Sequence, residues 1–317
     1  MLTLRQYDAA DKAMWDDFVI RRSRNATFLF CRDYVEYHAD RFADNSLVFS
    51  DGRRLVALFL ASRHGDVLQA HGGLTYGGLV MPDKGFGAAT AVAVIGALKD
   101  YCRAENISRI IYKPVPHIYH RYPSEDDIYA IVASGGRLSE AAVSSAIDLT
   151  APLRPDENTR RGLRRAAAAG IEVRQTDDYA GFWHLLTDNL AERHNVAPVH
   201  TVGEIMLLAS RFPDNIRLYA AYSPEGEMLA GTVVYLTDTV AHTQYISASP
   251  RGRELSALVP VMFRVMDDNA GVRRFLDFGI STEDHGRFLN TGLLRQKEGY
   301  GGRSTVYTAY TIEIAGK

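Results

Sequence analysis

The sequence predicts an α+β protein built from two similar halves. Leu4-Arg5-Gln6-Tyr7-Asp8 opens a strand that leads into a helix, and Val173-Arg174-Gln175-Thr176-Asp177 opens the same pattern later in the chain. Segments 54–60 and 227–236 each read as a strand followed by a turn and a second strand. A weak repeat followed by the same order of elements favours a duplicated domain with a mostly antiparallel sheet flanked by helices.

Each half is expected to contain a strand, two helices, three strands, a helix, a strand, a helix and a last strand. In the first half the later helix is predicted at 88–105 and the next strand at 109–113. In the second half a helix is predicted from about residue 255 and a strand at 273–279. Pro260 lies inside that helical run, so we expect a kink there or a helix that starts later.

The boundary between the halves is predicted at a proline-rich segment. Pro152 and Pro155 follow a strand expected at 146–149 and cannot continue it. We therefore predict an N-terminal domain at 1–152 and a C-terminal domain at 153–317.

Composition and charge exclude several classes of protein. The 317 residues are 46% hydrophobic and 23% charged, which is ordinary for a soluble globular chain. The net charge of −2 gives no global attraction to nucleic acid or to an anionic membrane. We see no secretory signal, no membrane-spanning run and no metal-ligand spacing, so a cytoplasmic protein without a metal is expected.

An unusual cluster near the end of the sequence is Lys297-Glu298-Gly299-Tyr300-Gly301-Gly302-Arg303. Glycine lets the backbone approach a ligand closely, so a glycine-rich turn that carries cations could hold an anion. The alternative is a hairpin turn with a solvated charge pair.

The order of elements resembles the GNAT acyltransferase fold, and its tandem form resembles the Fem-type (FemAB-like) transferases of bacterial cell-envelope biosynthesis. The motifs that carry this resemblance are Arg160-Arg161-Gly162-Leu163-Arg164-Arg165-Ala166, Leu276-Asp277-Phe278-Gly279, Arg295 to Gly302 and Lys113-Pro114-Val115-Pro116-His117-Ile118-Tyr119. The resemblance implies that Lys297 lies in the active site and assists phosphate binding or charge stabilisation. The residue before it is Gln296, where the family has an aromatic.

The resemblance also implies that the acyl donor enters between two parallel strands, here 241–249 and 273–280. Tyr245 on the first strand, and Glu283 and His285 after the second, are then candidates for taking the amine proton. The alternative for 281–285 is the capped start of a helix. Asp277 is expected to be buried with a salt-bridge or backbone partner rather than to be catalytic.

The donor's pyrophosphate is bound in the GNAT fold by a glycine-rich loop before a helix. We expect acyl-CoA as the donor, although the matching region of the second half, which contains Arg251 and Gly252, has the wrong glycine spacing. The first half offers Lys84, Gly85 and Gly87, for which a plain helix-entry loop is the alternative.

Acceptor recognition is predicted from three groups of side chains. Arg160 and Arg161 begin two rows of guanidinium groups on a helix that could grip a diphosphate, or the helix could simply be solvated. Lys113, His117 and Tyr119 lie on a proline-stiffened loop that suits a sugar ligand or domain packing. Tyr300 and Arg303 complete the predicted substrate-binding set.

We therefore predict an N-acyltransferase that forms an amide on an amino sugar or a similar cell-envelope precursor from an acyl thioester. One alternative is a Fem-like enzyme that uses an aminoacyl-tRNA donor. Another is a tandem binding module without catalytic activity, because function belongs to the site and not to the fold.

Overall fold

The computed structural model describes residues 1–194 and 198–315 as a succession of short strands and helices. The elements, in chain order, are β1 Leu2–Gln6, α1 Lys12–Asp17, α2 Arg32–Val35, β2 Ala43–Asp44, β3 Leu47–Asp51, β4 Arg54–Phe59, β5 Ser62–His64, β6 Val67–Gln69, β7 Leu79–Val80, α3 Ala88–Ala104, β8 Arg109–Tyr112, α4 Asp126–Ala133, β9 Arg137–Asp148, α5 Glu157–Ala168, β10 Glu172–Thr176, α6 Tyr179–His194, α7 Val202–Arg211, β11 Ile216–Tyr222, β12 Met228–Leu236, β13 Val240–Ala248, α8 Pro250–Glu254, α9 Leu258–Asn269, β14 Phe275–Ile280, β15 Thr282–Glu283, β16 Phe288–Leu289, α10 Thr291–Gly299 and β17 Arg303–Glu313.

The chain divides into two compact units that exchange short segments. The first unit holds Met1–Val143, Thr282–Phe288 and the described residues from Val306 onward, and the second holds Ser144–Ser281 and Leu289–Thr305. The units are therefore not contiguous in sequence, whereas the predicted domains 1–152 and 153–317 are. The placement of the duplication boundary near residue 152 stays a prediction.

The second unit is a sheet in the order β10-β11-β12-β13-β14-β9, where β9 contributes its residues from Ser144. All its strand pairs are antiparallel except β13 with β14, which run parallel. Helix α9 packs its apolar face on this sheet through Val261, Met262 and Val265. It begins at Leu258, so Pro260 lies in the first turn, where its missing N–H is not needed.

The first unit contains an antiparallel sheet in the order β1-β3-β4-β7 and a second set in the order β17-β8-β6-β5-β2. Helix α3 buries Val94, Ile95 and Leu98, which recur at the spacing of one helix face, against the core of this unit. The α+β class predicted from the sequence is confirmed.

Candidate functional site

Strands β13 and β14 pair for only three residues and then separate. Val240 pairs with Phe275 and His242 pairs with Asp277, which is the last pair between the two strands. Beyond it, the hydroxyl of Thr243 donates to the Asp277 carbonyl at 3.4 Å, where a neighbouring strand would place a backbone N–H. The sheet of the second unit therefore opens into a fork at this point.

The fork leads into a cavity of about 280 Å³, which lies within the second unit. Its lining comes from the end of β13, from β14 and from the helices around them: Asn189, Ile246, Ser247, Ala248, Arg253, Leu258, Met262, Phe278, Leu293, Gln296, Lys297 and Tyr300. Two predicted site residues, Lys297 and Tyr300, thus meet in one cavity.

Lys297 lies in the last turn of α10 and is only 5% exposed. Its Nζ donates to the carbonyl oxygens of Gly279 at 2.8 Å and Ile280 at 2.7 Å. Burial lowers the pKa of Lys297 to about 8, although the nearby carboxylate of Asp277 acts in the opposite direction. The side chain therefore carries most of a positive charge at neutral pH and fixes the end of β14.

The hairpin-turn alternative for 297–303 is wrong, because Lys297 ends a helix and is buried instead of solvated. The glycines that follow permit close backbone packing. Gly301 has φ +101°, and a Cβ there would lie 2.8 Å from the Leu153 carbonyl oxygen. The ring of Tyr300 is tilted by 33° to that of Phe278, with their centroids 5.4 Å apart, and burial raises the pKa of Tyr300. Arg303 is exposed and donates to the Gly302 carbonyl at 2.6 Å.

Asp277 is fully buried at the root of the fork, as its strand pattern predicts. Its carboxylate accepts from Ser144 Oγ at 2.6 Å and lies 2.9 Å from His242 Nδ1. The backbone N–H of Gly279 donates to it at 3.1 Å. These bonds hold both strands at the point where they part. His242 was missed from the sequence, because its partner Asp277 lies on a different strand.

Two further cavity residues, Asn189 and Arg253, were also missed. Arg253 Nη1 donates to Asn189 Oδ1 at 2.9 Å and to the Ala248 carbonyl at 2.8 Å. Asn189 lies on α6, far from Arg253 in sequence, so only the fold brings the two together.

Tyr245 lies on β13 outside this cavity lining. Its hydroxyl contacts His200 Nδ1, and its ring packs edge-on against Trp183 at 5.0 Å. Trp183 in turn donates from Nε1 to the His200 carbonyl at 3.0 Å. Tyr245 is therefore held by a rigid aromatic and imidazole cluster.

The region that would bind a pyrophosphate in the second unit makes its own hydrogen bonds. Ser249 Oγ accepts from the Gly252 N–H at 2.9 Å and so caps α8. Arg251 pairs with Glu227 at 2.7 Å and with Glu225 at 3.3 Å.

Helix α5 packs over the start of α9. A Cβ on Gly162 would lie 3.1 Å from Val259 and 3.2 Å from Ser256. Arg165 also donates to the Glu254 carbonyl at 3.1 Å. Helix α5 therefore contacts the segment that links α8 to α9.

The corresponding loop of the first unit is open. Gly87 precedes α3 without a side-chain cap, and a Cβ there would meet nothing within 4 Å. Lys84 and Gly85 line a cavity of about 290 Å³ with Arg22 and Arg54. The binding of a pyrophosphate at Lys84, Gly85 and Gly87 stays a prediction, with a plain helix-entry loop as the alternative.

Glu283 and His285 belong to the first unit and lie beside an exposed turn. Asp284, His285 and Gly286 all have positive φ, and His285 Nδ1 lies 3.5 Å from Glu140 Oε2. The helix-start alternative for 281–285 is wrong, because α10 begins only after the cap Asn290.

The arginine-rich helix α5 pairs two of its four arginines with its single glutamate. Glu157 pairs with Arg160 at 2.5 Å and with Arg164 at 2.8 Å, while Arg161 contacts the side chain of Asn158. Its role as an acceptor site stays a prediction.

The proline-stiffened loop is mixed in exposure. His117 is exposed and Lys113 half-buried, whereas Tyr119 is buried with its hydroxyl 2.9 Å from that of Tyr307. Tyr119 therefore packs inside the first unit, and the role of this loop in binding stays a prediction.

In each unit a helix follows one strand and precedes another, α3 in the first unit and α9 in the second. In the second unit the two strands form the forked parallel pair. Two such units define a tandem GNAT fold. Residues 156–287 match the sequence profile described as Acetyltransferase (GNAT) domain. A search of curated proteins found no match. The tandem GNAT, Fem-like fold expected from the motifs is confirmed, and it is a fold of acyltransferases.

Solved structures extend this likeness to the whole chain. The crystal structure of FemX is similar with a TM-score of 0.68 at 11% identity, covering 98% of this chain and 97% of that one. The C-terminal domain of a candidate lysylphosphatidylglycerol synthetase from Agrobacterium fabrum has a TM-score of 0.62 at 14% identity, covering 96% and 91%. A tandem GNAT protein from the clavulanic acid biosynthesis pathway has a TM-score of 0.53 at 14% identity, covering all of both chains.

Two features, a metal-binding cluster and a membrane-spanning helix, are absent from residues 1–194 and 198–315. No group of three or more histidine, cysteine, aspartate or glutamate residues is arranged to hold a metal. No helix in these ranges combines the length and apolar character needed to cross a membrane.

Proposed function

We propose that the protein is an N-acyltransferase and that transfer takes place at the fork of the second unit. The observation that supports this most is the cavity that begins where β13 and β14 part and that contains the buried Lys297. A reacting acyl group held there would lie beside the part of β13 beyond His242, which does not pair with β14.

The chemistry required is attack of a neutral amine on the acyl carbonyl. The amine nitrogen forms a bond to the carbonyl carbon, the C–S or C–O bond to the carrier breaks, and one proton moves from the amine to the leaving group. Past His242, β13 makes no pair with β14, so N–H groups on that edge can donate to the oxyanion. The positive charge of Lys297 stabilises the same developing charge.

Proton transfer is assigned to Tyr245, which lies on the forked strand β13 and whose hydroxyl contacts His200 Nδ1. Glu283 and His285 belong to the first unit, and the role predicted for them stays a prediction. The acceptor we propose is an amino group of a cell-envelope precursor, such as an amino sugar, and the reaction is placed in the cytoplasm.

The donor is either an acyl thioester or an aminoacyl ester on tRNA. An acyl-CoA would need its pyrophosphate at the loop 249–257, where the backbone N–H groups of Gly252, Arg253 and Ala257 already donate within the loop. An aminoacyl ester needs no pyrophosphate there, but its amino group, largely protonated at neutral pH, would enter a cavity whose charged lining residues are both cations. Both donors stay candidates. A small cavity of about 280 Å³ would then receive only the acyl end.

Donor and activity can be tested together. Purified protein is incubated with acetyl-CoA, a longer acyl-CoA or a mixture of aminoacyl-tRNAs, each with glucosamine and with a lysine-containing peptide. Amide products are measured by mass spectrometry, and Lys297→Met serves as the comparison. Products from aminoacyl-tRNA alone would establish the aminoacyl ester as donor, and products from acyl-CoA would establish the thioester. Absence of binding and of product with every donor would contradict the enzyme and leave a binding module.

A further inference from the structure

We propose that the cavity at the fork selects an acyl group with an apolar body and an anionic or neutral end, and that it rejects cationic acyl groups. This inference rests on the proposed function, because it names the class of acyl group that this site transfers. It is carried by the charges and the walls of the cavity.

The lining of the cavity is apolar with two cations. Met262, Phe278 and Leu258 form apolar walls, and Lys297 and Arg253 are the charged residues of the lining. Among the described residues no aspartate or glutamate lines this cavity. A ligand that fits such a lining is itself largely apolar and brings the negative or hydrogen-bond-accepting group.

Arg253 offers unused hydrogen-bond donors at the cavity wall. Both of its bonds to protein come from Nη1, which donates to Asn189 and to the Ala248 carbonyl. In the part of the chain that the structure describes, Nε and Nη2 have no hydrogen-bond partner. The guanidinium is thus held by one nitrogen, while two others can bind a carboxylate or phosphate oxygen.

Lys297 adds charge but fewer free donors, since its ammonium already bonds two carbonyls. The carboxylate of Asp277 offsets part of its field but does not line the cavity. Arg253 is therefore the residue that decides the charge preference, with Lys297 reinforcing it.

The neighbouring space supports the same assignment. A second cavity of about 340 Å³ shares Asn189, Ala248 and Arg253 with the first, so Arg253 lies at their junction. The acidic side chain of the second cavity, Asp188, is paired with His184 Nε2 at 3.4 Å. A cationic acyl group would have to pass Arg253 and end among like charges, which disfavours its binding.

The preference can be measured with two probes of equal apolar length and opposite charge, hexanoate and hexylammonium. Binding to the full chain is followed by protein-observed NMR or calorimetry. We expect hexanoate to bind at least tenfold more tightly than hexylammonium. Arg253→Gln should weaken the binding of hexanoate at least fivefold, whereas Arg253→Lys should retain most of the affinity for hexanoate. Arg253→Glu should make hexylammonium the more tightly bound probe.

The matched control is Arg264→Gln, because Arg264 lies on α9, is exposed and does not line either cavity. It should leave the affinity for both probes unchanged, and a thermal melt of each variant excludes misfolding. Equal binding of the two probes, or tighter binding of hexylammonium to the unaltered protein, would overturn the inference. The probes need no turnover, so a failure of acyl transfer leaves this result readable, and the reverse also holds.

Discussion

The two units differ in the gap between the two strands that flank their central helix. In the first unit, α3 lies between β7 and β8, and Tyr112 at the end of β8 reaches across to accept the Leu79 N–H at 2.7 Å. Its hydroxyl donates to the buried carboxyl of Asp127 at 2.6 Å. In the second unit, α9 lies between β13 and β14, and the gap contains a cavity bordered by Phe278 and Lys297.

The second unit is therefore the half suited to bind a reacting group. Tyr112 and its hydrogen bonds make the gap of the first unit part of the core. The gap of the second unit contains a cavity, the cation Lys297 and a length of β13 that does not pair with β14. Gly87 precedes α3 without a side-chain cap, whereas Ser249 caps α8 in the second unit.

The largest effect is expected from emptying the closed gap. Tyr112→Ala removes a fully buried ring and leaves the Leu79 N–H and Asp127 without that partner. We expect the free energy of unfolding of the first unit to fall by about 3 to 5 kcal/mol, measured by urea denaturation. Tyr112→Phe keeps the ring and should cost about 1 to 3 kcal/mol. If Tyr112→Ala were nearly neutral, the gap would not be core.

The second prediction concerns the pH dependence of the same gap. Burial raises the pKa of Asp127 to about 6. A raised pKa means that the folded chain holds the proton more tightly than the unfolded chain. The stabilisation of the folded chain by the protonated Asp127 carboxyl is therefore present below about pH 4 and is lost as the pH rises through about 6. Relative to Asp127→Asn, the wild type should lose roughly 2 kcal/mol of unfolding free energy between pH 4 and pH 7.

Denaturation at several pH values, on both proteins, checks this difference. Other carboxylates titrate in both proteins and cancel. A constant difference between wild type and Asp127→Asn across this range would show that the buried carboxyl does not hold its proton.

The smallest of these effects is expected at the open gap. Lys297→Met keeps the length of the side chain but removes the charge and the bonds to the Gly279 and Ile280 carbonyls. We expect turnover to fall at least tenfold, about 1.4 kcal/mol of transition-state stabilisation, with rates compared at equal folded protein. Since a protonated Lys297 is required, the wild-type rate should decline as the pH rises through about 8.

Arg295→Met provides the control, because Arg295 is exposed on the same helix and does not line the cavity. It should retain full turnover and the same pH profile. Unchanged turnover in Lys297→Met would reduce this lysine to a structural role.

The class of fold could be predicted, and the Lys297 segment could be selected as a candidate site, because repeated patterns and local motifs are visible in neighbouring residues. The burial of Lys297 could not, since it depends on two carbonyls supplied by another strand. Arg253 and Asn189 are brought together only by the packing of α6 beside β13. Likewise, the partner of His242 is Asp277 on the parallel strand β14. Pairing between strands that are distant in sequence cannot be recognised from neighbouring residues.

The exchange of segments between units has a consequence for synthesis. Strand β8 pairs with β6 on one side and with β17, near residues 310–313, on the other. A ribosome makes β8 long before β17, so the first unit emerges with an unpaired strand edge and waits while the entire second unit is translated. At about 5 to 20 residues per second, this interval lasts on the order of ten seconds or more. The nascent chain therefore passes through a state in which that edge must be shielded before the native pairing is possible.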